Sequence, residues 1–177
     1  MKRLVLILAL AATLNAQEKP AAPAAAPSPL APLEFWIGGK WRGQLPPPPN
    51  GGTAPVLETT FAWMENHRAI RFDTVATAGE RRRPYTSGIY AWHPGRKQPV
   101  FYYTDLAGAL TEGAVTIEAD GSLLHEFTSV DAAGKAATYR ARITRDGNDA
   151  YWNEIFARDG EEWKTFVKVR YERAPAP

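Results

Sequence analysis

Between Ile37 and Arg173, apolar and polar side chains trade places every second residue in short runs, each closed by a cluster of Gly, Pro, Asn or Asp. No helical repeat is sustained for ten residues. A period of two is that of a strand with one wet face. The spacing predicts ten strands, at 37–45, 56–64, 69–77, 85–92, 99–104, 109–118, 122–130, 136–145, 150–157 and 162–172. The last is the plainest: in "EEWKTFVKVRYER", Trp163, Thr165, Val167, Val169 and Tyr171 face one way, and Glu162, Lys164, Lys168, Arg170 and Glu172 face the other.

Turn chemistry ties neighbouring strands into register. "EADGS" fits a three-residue loop with Gly121 in the left-handed position, which pairs Glu118 with Ser122 and puts Val115 and Ile117 on one face with Leu123, His125 and Phe127. "VDAAGKA" carries that face to Tyr139, Ala141 and Ile143 and leaves Arg140 and Arg142 to solvent. His125 is thereby predicted to point inward. "FARDGEEW" leaves two registers open. A two-residue Asp159-Gly160 turn faces Trp152, Glu154 and Phe156 inward with Trp163; a three-residue turn ending at Gly160 faces Tyr151, Asn153 and Ile155 inward instead.

Consecutive antiparallel strands joined by tight turns close most simply into an up-and-down β-barrel, which removes exposed edges. A β-sandwich is the alternative. An all-β barrel of about ten strands is wider inside than one of eight and encloses a cavity unless large side chains fill it. The ring-rich stretch "YAWHPGRKQPVFYYTD" bears on this: alternation sends either Trp92, Phe101 and Tyr103 or Tyr90, Val100 and Tyr102 inward. The candidate ligand-contacting residues are Trp41, Phe61, Trp63, Phe72, Tyr102, His125, Phe127, Tyr139 and Trp163. Such a lining suits a dry core and a pocket for a flat apolar ligand equally; the inward hydroxyls favour a pocket. The longest connection, "LPPPPNGGTAP" at 45–55, is either a stiff lid hinged at Asn50-Gly51-Gly52 or a plain surface loop.

The ends of the chain differ in composition. Residues 1–16, "MKRLVLILALAATLNA", start basic and continue through eleven mostly apolar residues from Leu4 to Leu14, too few to span a bilayer and matching a secretory signal peptide. Cleavage is expected after Ala16. Residues 17–33 form a Pro/Ala-rich linker, 34–173 the barrel and 174–177 a tail. The chain has no cysteine, so neither disulfides nor a lipidated thiol anchor is expected, and the localisation that follows is periplasmic or secreted. Removing Lys2 and Arg3 leaves 19 basic against 19 acidic residues, a balance that argues against nucleic acid or an anionic membrane as partner. The one basic run, "GERRRPY", reads as a solvated loop.

"LEFWIGGKWRGQ" resembles the Gly-x-Trp first strand of lipocalin-like (calycin) barrels at Gly39-Lys40-Trp41, and Gly43 extends it toward the form seen in nitrobindin-type barrels. "VKVRYER" is similar to their last strand, where a basic side chain caps the first-strand tryptophan. The resemblance thus implies Arg170 or Arg173 over Trp41. The run from "SGIYAWHPGRKQPVFYY" through "RDGNDAYWNE" to "EEWKTFVKVRYER" further resembles uncharacterised secreted bacterial barrels of this superfamily, and the likeness covers most of 33–173. Haem-binding nitrobindin-type members place an iron-ligating histidine in the late strands, whereas this chain has none after His125. No cofactor is expected.

Candidate chemistry is sparse. His67 and His93 sit in turns, and no His, Asp, Glu or Cys pair has the close spacing of a zinc site, so no metal is expected. "GALTEG" and "PPNGG" are turns, since no helix follows to make a phosphate loop. His125 could meet a ligand, act as a base with Glu112 or Glu154 inside the barrel, or sit neutral in the core bonded to a Tyr or Thr; the last is preferred. Three functions follow: a binder of a small apolar or aromatic ligand without catalysis, a barrel enzyme using His125 with an interior carboxylate, or an envelope module with a solid core that meets a protein partner. The first is the leading expectation.

Overall fold

The computed structural model describes residues 28–49, 51–65 and 67–175; the expected signal peptide, most of the expected linker, Asn50 and the last two residues of the tail lie outside the described residues. Ten strands form: β1 (Lys40–Gln44), β2 (Val56–Trp63), β3 (Ala69–Ala78), β4 (Arg81–His93), β5 (Gln98–Asp105), β6 (Leu110–Ile117), β7 (Leu123–Val130), β8 (Ala136–Arg145), β9 (Ala150–Asp159) and β10 (Glu162–Arg173). Each pairs antiparallel with its neighbours in sequence, and β1 closes onto β10 through Trp41 opposite Arg173 and Gly43 opposite Tyr171. The fold is a closed up-and-down barrel, so the sandwich alternative falls.

The β6–β7–β8 register follows the turn chemistry. Gly121 takes φ of 79°, Val115 pairs with His125 and His125 with Ala141, and this face is buried at Val115, Leu123, His125, Ala141 and Ile143. The outer face carries charge pairs such as Arg140 with Glu126 at 2.8 Å, which in solvent contribute little.

Two stretches depart from the expected pattern. "GERRRPY" is not a loop: Arg81 to Pro84 extend β4 along β3, from Ala78 opposite Arg81 to Val75 opposite Pro84. These residues lie beyond the reach of β5, which joins β4 only from Thr86. Proline is tolerated on such an edge, and the arginines stay exposed. In the last hairpin, Asp159 pairs with Glu162 around a Gly160-Glu161 turn, which is neither of the two turns expected.

Packed structure also begins inside the stretch expected to be linker. A 3₁₀ helix spans Ala31–Trp36, and Leu30, Leu33 and Trp36 are all buried. Their spacing of three equals one 3₁₀ turn, so all three fall on one side of the helix. That side fills the closed end of the barrel. The end of the Pro/Ala tract is therefore core, because a leucine every third residue supplies apolar area that proline and alanine lack.

The Gly-x-Trp-x-Gly segment works at this same end. Trp41 is fully buried and its indole N–H donates to the Trp36 carbonyl at 2.9 Å. The Arg173 guanidinium lies 4.3 Å from the Trp41 ring centroid and donates to the Phe35 carbonyl at 2.9 Å. Arg173, not Arg170, is thus the capping cation; Arg170 bonds Asp146 on the outside. A side chain at Gly39 would collide with Arg173, and one at Gly43 with Val169 and Tyr171. Both glycines are there for close approach.

Candidate functional site

The helix plugs one end only. The other half of the interior is a cavity of about 560 Å³, open where β2, β4, β6, β8 and β10 begin. Trp36 forms its floor, stacked on Phe61 with centroids 4.7 Å and planes 10° apart, and in contact with Tyr90 at 5.3 Å and Tyr151 at 6.1 Å. Phe72, Tyr103, Phe127 and Tyr139 build the wall with Leu57, Ile143, Ile155, Val167 and Val169. Phe127 and Tyr139 stack across β7 and β8 at 5.4 Å. Leu45 and Pro46, the first residues of the Pro-rich loop, reach the lining as well.

Two β-bulges shape the mouth. On β4, Tyr85 is inserted between Pro84 and Thr86, which pair with the adjacent Val75 and Thr74. On β10, Phe166 is inserted between Thr165 and Val167, which pair with the adjacent Phe156 and Ile155. An inserted residue re-aims the side chains beside it, and bulges concentrate at barrel rims. Both inserted residues carry rings, both line the cavity, and both are open to solvent, Tyr85 at 37% and Phe166 at 67% exposure.

The polar groups of the wall are mostly matched to one another. Thr59 and Thr74 share a hydrogen bond of 2.9 Å, the Thr111 hydroxyl donates to Ser129 at 3.0 Å, and Asp105 accepts from the Ala107 and Ala109 amides at 2.9 Å each. Two buried lining atoms have no partner, Nε1 of Trp36 in the floor and Oδ1 of Asn153 on the wall. Among the described residues the lining contains no Lys, Arg or His, and Asp105 is its one carboxylate. Burial pushes the Tyr90, Tyr103, Tyr151 and Tyr171 hydroxyls up from their ordinary value, so these side chains are neutral.

His125 is inward, as the register predicts, but it does not line the cavity. It lies against Phe101 at 5.1 Å and touches Tyr90 and Trp36, both of which do line it. Its Nε2 is 3.2 Å from the Tyr90 hydroxyl, while Nδ1 has no partner and Trp36 Nε1 beside it has none either. Burial holds the imidazole down at about 4, against an opposing pull from the Leu123 backbone. The ring is therefore neutral at physiological pH. Glu112 and Glu154 both lie on the outer face, Glu154 within 3.1 Å of Lys168, so neither is the interior carboxylate expected beside His125. Among the described residues, no group of three His, Cys, Asp or Glu side chains could hold a metal.

Of the nine candidate residues, Phe61, Phe72, Phe127 and Tyr139 line the cavity. Trp41 and Trp63 face inward at the closed end, away from it. Tyr102 is corrected: Phe101 pairs with Tyr90, so Tyr90, Phe101 and Tyr103 share the inner face and Tyr102 points out. Trp163 is corrected too. The bulge at Phe166 reverses the alternation of β10, so Val167, Val169 and Tyr171 face in while Trp163 lies outside under the Arg140 guanidinium at 4.4 Å. The same bulge leaves Asn153, rather than Glu154, facing inward. Trp36, Tyr85 and Phe166 are absent from the expected set. The Leu30-x-x-Leu33-x-x-Trp36 spacing of three is the signal that could have found Trp36, though it is short and abuts the Pro/Ala tract; a bulge has no comparable local signature.

No protein-family model matches the sequence, and no curated protein matches it. Among solved structures the chain is similar to the crystal structure of Rv2717c from M. tuberculosis, with a TM-score of 0.56 and 13% sequence identity, over 83% of this chain and 98% of that one. At this identity the likeness is one of fold: a ten-strand antiparallel barrel.

Proposed function

We propose that the chain is an exported, lipocalin-like (calycin) barrel that binds a small apolar or aromatic molecule in its open cavity. The observation that carries the reading is the ring-lined hollow above Trp36, whose volume of about 560 Å³ falls among ligand sites of about 300–1,000 Å³. Filling it with water would leave Phe61, Phe72, Phe127 and Tyr139 wetted, at a cost of about 25 cal/mol for each Å² of apolar surface. A ligand removes that cost. The solvent-open rings of Tyr85 and Phe166 give an apolar molecule a place to land at the mouth. No catalytic step is assigned, since His125 lies off the cavity and faces neither Glu112 nor Glu154.

Titration of the mature protein with N-phenyl-1-naphthylamine tests binding: a saturable, one-to-one, blue-shifted emission is expected, and its absence would remove the reading. Export is tested by N-terminal sequencing of protein from the envelope fraction, which should begin near Gln17. Intact Met1 in a soluble cytoplasmic pool would contradict it.

A further inference from the structure

The cavity wall also restricts the charge of what it can hold. Among the described residues no cationic side chain lines it, its one carboxylate is Asp105, and that carboxylate already accepts two amides of its own loop. An anion drawn inside would lose its hydration with no opposite charge to replace it, a loss that burial makes severe. The wall hydroxyls of Thr59, Thr74 and Ser129 are paired within the protein. Among the buried lining atoms, Trp36 Nε1 in the floor lacks an acceptor and, on the wall, Asn153 lacks a donor for its Oδ1. Asn153 stands midway up β9, between Tyr151 toward the floor and Ile155 toward the mouth. A turn about χ2 would bring its oxygen to the cavity.

We propose that the site selects an uncharged, ring-bearing molecule with one hydroxyl or N–H group, held at the Asn153 amide, and rejects carboxylates of the same shape. This rests on the binding reading above and names its ligand class. Aliphatic acids and other amphiphilic anions, which need a buried or rim cation to meet the head group, are thereby placed outside the specificity. The upward pull of burial on Tyr90, Tyr103 and Tyr171 reports the same aversion of this interior to negative charge.

The test is competition for bound N-phenyl-1-naphthylamine at neutral pH by three matched molecules: 1-naphthol, naphthalene and 1-naphthoate. Displacement by 1-naphthol at concentrations about tenfold or more below those needed for 1-naphthoate, and severalfold below those for naphthalene, is expected; a tenfold ratio corresponds to about 1.4 kcal/mol. In Asn153→Leu the advantage of 1-naphthol over naphthalene, each measured against the variant's own probe affinity, should vanish, and the probe, which carries an N–H of its own, should bind severalfold more weakly. Asn153→Ser, which keeps a small polar group, should restore part of that advantage should the leucine variant fold poorly. Equal or better displacement by 1-naphthoate overturns the charge selection and leaves the binding reading standing. An unchanged naphthol preference in both variants overturns the role of Asn153. Failure of the wild-type protein to bind the probe at all overturns the binding reading and this inference with it.

Discussion

At the closed end, Trp36, Trp41, Tyr151 and Tyr171 are buried ring on ring, Tyr151 stacked on Tyr171 at 4.9 Å, with the Arg173 guanidinium laid over Trp41. At the open end, Tyr85, Tyr139 and Phe166 keep part of their surface uncovered around a cavity. The strands alternate in the same way at both ends and carry the same kinds of side chain. What separates the two is one short 3₁₀ helix that, with the leucine before it, supplies Leu30, Leu33 and Trp36 to one end, and two bulges that push rings into the mouth of the other. Ring content therefore does not distinguish a core from a pocket; the presence or absence of a plug does.

The largest break in this comparison comes from the plug itself. Trp36→Ala removes the indole that joins the helix to Phe61, Tyr90 and Tyr151, and should cost about 3–5 kcal/mol in urea unfolding. Next comes acid. His125 is about 4 in the folded protein against 6.5 in its ordinary state, so between these values the unfolded chain binds the proton and the folded chain does not. Its contribution is whole above pH 6.5 and is lost as pH falls toward 4, by about 3 kcal/mol in all. Urea midpoints measured across that range should fall in the wild type and show a flatter slope in His125→Gln. The smallest effect on stability belongs to the mouth: Phe166→Ser, at 67% exposure, should change unfolding by no more than about 0.5 kcal/mol. It should nevertheless weaken apolar probe binding severalfold, so that closed-end changes cost stability and open-end changes cost affinity.

The strand count, the β6–β7–β8 register and the inward histidine were legible because period-two alternation and a glycine-bearing turn act locally. The wall residues Phe61, Phe72, Phe127 and Tyr139 follow from that alternation. Trp163 and Tyr102 were misplaced for two different reasons. A bulge adds one residue, reverses every side chain on one side of it and leaves nothing in the local pattern to mark it, as at Phe166. The pairing of Tyr90 with Phe101 depends on the β4–β5 turn, where Lys97 takes φ of 53° and no glycine announces the left-handed residue. The helix at Ala31–Trp36 was hidden because its buried spacing of three occupies barely two turns inside a Pro/Ala tract.

The central claim is that the barrel is hollow above Trp36 and that the hollow is where an apolar molecule binds. Ile155 lines the hollow opposite Val167 in the β9–β10 pair, and Ile155→Trp would fill much of the space without touching the closed end. Calorimetric titration of N-phenyl-1-naphthylamine into wild type and Ile155→Trp, after unfolding curves show both folded, measures this directly. One-to-one binding in the wild type that is lost in the variant is the result expected; equal binding by both would place the probe elsewhere and contradict the account.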